Sequence, residues 1–171
     1  MFGRWLKGTE NRDHRETALE IERVVRAELR TEDEATVAVV SAIVGLLGTV
    51  AYADRLYSAA EEQRVLEELR RIEGLTEAGA QAVAHTLRKH IVEVATVQAP
   101  RYARILVELA DRELRCQVLG VLVSVAAADE VISTAETNAL RQLTTSLGLA
   151  QADYNELQAE YRTRLAVLKD G

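Results

Sequence analysis

Asp54-Arg55-Leu56-Tyr57-Ser58-Ala59-Ala60-Glu61 and Asp129-Glu130-Val131-Ile132-Ser133-Thr134-Ala135-Glu136 are one phrase written twice: Asp, three residues, Ser, two residues, Glu. Each follows an Ala-rich apolar run, ending Ala-Tyr-Ala-Asp54 in one copy and Ala-Ala-Ala-Asp129 in the other. Ser followed three residues later by Glu marks a helix N-terminus, because the hydroxyl accepts a free first-turn amide while the carboxylate reaches back to the cap. An apolar helix, a polar corner and a capped helix are therefore predicted twice. An offset of 75 residues relates Asp54 to Asp129, Ser58 to Ser133, Glu61 to Glu136 and Gly45 to Gly120, whereas Gly74 and Gly148, the predicted helix stops, differ by 74.

Working outward from these corners, the pattern is helical from Thr17 to the C-terminus. Ile21, Val24, Val25 and Leu29 recur three and four apart on one face. Thr31 and Glu34 read as a capping box opening a second helix to about Ala53. A third helix follows Ser58, with Val65, Leu66, Leu69 and Ile72, and a fourth spans about Thr76 to Val97, after which Pro100 is expected to reset the chain. The second half repeats the plan with a helix around Ile105, Leu106 and Leu109, a core helix over about Arg112 to Ala128, one from Ser133 to Gly148, and a last one carrying Tyr154, Leu157, Tyr161, Leu165 and Leu168. The expectation is an all-α domain over 17–171, eight helices in two related four-helix halves at about 17–98 and 99–171, preceded by an arm at 1–16. That arm, polar apart from Phe2, Trp5 and Leu6, reads as a loose segment or short extra helix folded onto the body.

Composition agrees. With 171 residues, one proline and 4% aromatics, the chain suits one helical domain with a single core. A net charge of -6 with no basic stripe disfavours a nucleic-acid partner. The lone Cys116 forms no internal disulfide and reads as a small buried hydrophobe, which fits a reducing cytoplasm. Residues 35–53 carry no charge and meet the length of a membrane span. The matching run Cys116 to Ala128 is too short to span, so a buried central helix is the expectation for both. Phe2-Gly-Arg-Trp-Leu6 turns polar at once, against a signal peptide, and one short apolar patch gives little purchase on a membrane surface.

The corners are the only place where carboxylates recur in a fixed arrangement. Ser58, Glu61, Ser133 and Glu136 are explained by capping alone. Asp54 and Asp129 are not, since a carboxylate at a helix C-terminus meets the negative end of the macrodipole at a cost of about 0.3–1 kcal/mol. Free amides of the next helix, a basic neighbour such as Arg55, or a bound cation would each compensate it. If the corners converge, Asp54, Glu61, Asp129 and Glu136, with Glu130 as a fifth, offer the hard oxygens that a divalent cation takes, although the loop is shorter than an EF-hand loop and lacks its ladder of acids. His85 and His90 lie five apart, off the spacing of a helical zinc pair, and read as surface residues. The runs Glu61-Glu62-Gln63-Arg64 and Glu67-Glu68-Leu69-Arg70-Arg71 read as a solvated, self-paired helix face. No glycine-rich phosphate loop or nucleophile with an orienting acid is visible, so no catalysis is expected.

The two Ala-rich helices ending in Asp54 and Asp129, the following Ser58-x-x-Glu61 and Ser133-x-x-Glu136, and Leu147-Gly148-Leu149 with Asp153 resemble the tellurite-resistance TerB family, and a similar domain occurs in DjlA-type co-chaperones. The resemblance covers roughly 20–168. It implies a TerB-like helical bundle and a role for the acidic corners in metal binding during stress responses; the main expectation is a non-enzymatic adaptor with protein partners that binds a divalent cation (calcium, magnesium, manganese or zinc) there. The family pattern usually has Gly after the Asp, where Arg55 and Glu130 stand here, and Arg55 beside Asp54 weakens the first-copy site more than the second. The J-domain tripeptide His-Pro-Asp is absent, Pro100 following Ala99. The rival expectation is a metal-free interaction module whose corners are only caps and whose groove between halves receives a partner helix. Monomer and homodimer both stay open.

Overall fold

The structure, a computed structural model, describes residues 3–31, 33–129 and 131–169, with side chains described from 16 to 163 within those ranges. It is all-α, with no strand among the described residues. The helices are α1 (Gly3–Leu29), α2 (Glu34–Ala51), α3 (Ala59–Arg70), α4 (Glu77–Lys89), the single turn α5 (Ile91–Glu93), a π-helix (Val94–Gln98), α6 (Ala99–Leu109), α7 (Arg112–Ala126), α8 (Thr134–Ser146) and α9 (Gln151–Lys169).

Most boundaries follow local chemistry. Ser58, Thr76, Asp111 and Ser133 cap α3, α4, α7 and α8, each accepting an amide proton from three residues on. Gly148 adopts positive φ just past the Leu147 cap of α8, and Gly74 does so in the turn after the Arg71 cap of α3, a conformation open to glycine without a Cβ penalty. Four boundaries differ from expectation. The fourth helix, expected to run to Val97, stops at Lys89 and gives way at His90 to α5 and the π-helix. Helical backbone reaches back to Gly3, so α1 does not begin at Thr17; the side chains of Phe2, Trp5 and Leu6 lie outside the described ones. The cap of α2 is Asp33, which accepts from Thr36 N at 3.1 Å, while Glu34 forms a two-pronged pair with Arg26 of α1 at 2.7 Å instead of reaching back to Thr31. Pro100 does not reset the chain but sits in the first turn of α6. A proline lacks the amide proton and crowds the carbonyl four residues earlier, and the wider π turn just before it absorbs that misfit.

The core centres on α2, buried at Val37 and at every position from Val44 to Ala51. It is long and apolar enough to cross a membrane, yet two thirds of it is covered by the rest of the fold. The halves are not packed alike. In the first, α1 lies against α2 and α4 of its own half; in the second, α6 packs chiefly on α2, across the molecule. Gly45 permits that crossing, since a Cβ there would sit 2.1 Å from the Tyr102 ring of α6. The charged face of α3 is partly internal. Glu68 is buried between Arg64 and Arg71 at 3.0 and 2.9 Å, and Arg64 also donates to Ser124 of α7 at 2.8 Å, tying the halves together. The self-paired, solvated reading of this stretch holds at exposed Gln63, Arg70 and Arg71 and for the pairs of Arg64 and Arg71 with Glu67 and Glu68, but fails at Glu61 and Glu68, which are buried. Cys116 is half-buried against the core. Exposed His85 fits the surface reading, but the Nε2 of His90, at the end of α4, is buried without a partner in the described residues.

A candidate cation centre where two acidic elbows meet

Both DxxxSxxE phrases form the predicted corner. In each, the Ser hydroxyl accepts from the Glu amide at 3.1 Å while the Glu carboxylate accepts from the Ser amide, at 2.7 Å for Glu61 and 2.6 Å for Glu136. Both glutamates are only 4% exposed, although each stands in the first turn of its helix. The described bonds of each use one carboxylate oxygen, leaving the other unengaged.

The elbows converge. The Ser58 hydroxyl, already accepting from Glu61 N, donates across the molecule to the Asp129 carboxylate at 3.2 Å. Sequence reading took Ser58 for a cap alone; nothing local could reveal this second bond, which joins residues 71 apart. Asp54 behaves differently. It turns into its own loop and accepts from Leu56 N at 2.9 Å. An ion pair with Arg55, one of the three compensations open to Asp54, is not formed among the described residues, where Arg55 stands at φ +68°, the left-handed region a glycine would take without strain. The misplaced-dipole cost at Asp54 and Asp129 is thus met by a loop amide and by the opposite elbow's hydroxyl. Glu130 lies outside the described residues.

The electrostatics follow from this crowding. Burial pushes Glu61 up to about 7; the cap bonds from Ser58 oppose the rise, and the charges of Glu136 and Asp129 add to it. The neighbouring Tyr57 is raised to about 12, by burial first and then by the Glu61 charge. Its hydroxyl is buried with no partner among the described residues. The surplus is negative, and the unengaged oxygens are hard carboxylate donors, the type that calcium and magnesium take. Donor chemistry therefore fits such an ion, while no three His, Cys, Asp or Glu groups among the described residues are gathered closely enough to enclose one.

Beside the elbows lies an open cleft of about 1040 Å³ between the C-terminal end of α2, the Pro100 junction and α8, with Arg55 and Arg141 on its walls.

The chain is an all-helical bundle in which two corners of like sequence touch. Residues 40–159 match the family model of the tellurite resistance protein TerB, and the chain belongs to that family. No curated protein and no solved structure matches the chain significantly.

Proposed function

We propose that this TerB-family protein is a non-enzymatic cytoplasmic adaptor of stress responses whose joined elbows bind a divalent cation through Asp129, Glu61 and Glu136, with Asp54 contributing only if it leaves the Leu56 amide. The observation that carries the reading is the Ser58–Asp129 contact at 3.2 Å, which makes one acidic locus out of two corners. Bound there, a cation would neutralise carboxylates that burial and mutual repulsion disfavour in ionised form. Ser58 and Ser133 hold the glutamates in place through the caps. Glu61 keeps its proton up to about pH 7, so binding releases it and affinity falls as the pH drops through that value.

Calorimetry with calcium, magnesium, manganese and zinc tests the reading. Heat is expected from at least one, lost on Asp129→Asn with Glu136→Gln. No heat from any of the four removes the cation.

The cleft between the halves favours a second reading, a metal-free module that receives a partner helix there. In that case the same double substitution lowers stability by about 1 kcal/mol, as lost cap interactions do, and leaves partner recovery intact.

A further inference from the structure

Leu56 and Val131 are 67% and 74% exposed, the two most exposed large hydrophobic side chains among the described residues. They are also the same position of the repeat, two after the Asp of each elbow. The next position, Tyr57 and Ile132, packs against the core in both copies, so the core explains its apolar character. It does not explain Leu56 or Val131. Each lies two residues from one partner of the Ser58–Asp129 contact, a chain reach of about 7 Å, so both tips stand at the same end of the molecule beside exposed Asp54 and Asp129.

An apolar pair beside Asp54 and Asp129, which outnumber Arg55, the one exposed cation between them and the pair among the described residues, complements a surface that is apolar and positively charged. We propose that this end docks a basic amphipathic helix of a partner protein, with Leu56 and Val131 entering its apolar face and its Lys or Arg residues meeting Asp54 and Asp129. An anionic lipid surface fits less well, because the same carboxylates repel it. The proposal rests on the adaptor half of the function above and not on the cation. It also places the partner at the elbows and not in the cleft.

The probe is a fluorescent 18-residue Leu/Lys peptide patterned with one apolar face, titrated against the whole chain by anisotropy, with a Leu/Glu peptide of the same pattern as control. Leu56→Ser with Val131→Ser is expected to weaken Leu/Lys binding about tenfold or more, from the loss of two buried aliphatic contacts, without changing Tm. The control pair Val92→Ser with Leu109→Ser, exposed on other helices, is expected to leave affinity unchanged. Equal weakening by both pairs, no weakening by the tip pair, or equal binding of the Leu/Glu peptide overturns the proposal. So does tip-dependent binding to phosphatidylserine vesicles, with or without calcium, in the absence of Leu/Lys peptide binding. Absence of calorimetric heat with metals leaves the peptide result standing, so the two claims fail separately.

Discussion

The first elbow and the second share a sequence pattern, a capping box and a buried glutamate, yet their aspartates do different work. Asp129 reaches across to Ser58, whereas Asp54 folds back onto the Leu56 amide. The same contrast recurs in the helices that precede the corners. Gly45 of α2 lies under the Tyr102 ring, while its counterpart Gly120 of α7 would place a Cβ at an ordinary 3.4 Å from Leu157. Duplication copies local instructions; the neighbours each copy meets decide which of them carry weight.

The largest break in this comparison is expected at the glycines. Gly45→Ala drives a methyl into a buried ring and should cost about 2–3 kcal/mol even after the gain in helix propensity. Gly120→Ala should be neutral or stabilise by up to about 1 kcal/mol, and urea melts of the two variants read the difference directly. Next comes pH. Glu61 ordinarily titrates near 4.5 and is held up to about 7 in the fold, so the folded chain binds the extra proton between those values. Stability should therefore fall as pH rises from 4.5 to 7, on the order of 1–2 kcal/mol, with the cost fully present above 7. Glu61→Gln should flatten that part of the stability profile.

A smaller effect separates the serines. Ser58→Ala and Ser133→Ala should each cost about 1 kcal/mol as lost caps. Only Ser58 should couple to the opposite aspartate, at about 0.5–1 kcal/mol in a double-mutant cycle with Asp129→Asn, against none for Ser133 with Asp54→Asn. Smallest is Arg55→Gly, which relieves the left-handed backbone but loosens the unfolded chain, for a net gain of less than about 1 kcal/mol by thermal melts.

Much of the fold was legible because its signals are short-range. Ser58 and Ser133 cap through residues three away, Gly148 follows the end of α8 by its own conformation, and the apolar spacing of Val65 and Leu69 shows one face directly. The misreadings are equally specific. Asp33 outcompeted Thr31 as the cap of α2 because Glu34 is drawn to Arg26 on another helix. Glu68 looked solvated because its i±3 and i±4 arginines are the usual partners on an exposed face, and nothing local shows Ser124 of α7 standing opposite Arg64. Of the candidate site, the glutamates and their caps could be read; the divided roles of Asp54 and Asp129 could not.

By itself, then, the chain's sequence determined an all-helical fold, its repeat and the TerB resemblance, because periodicity, capping and glycine stops act within a few residues. Only tertiary structure decided that α6 would cross onto α2, that Ser58 would hold Asp129, and that two glutamates would be buried beside each other's charge. Those outcomes depend on which surfaces meet between residues far apart in the chain, 71 apart for Ser58 and Asp129, and burial, not residue identity, sets the proton affinity of Glu61.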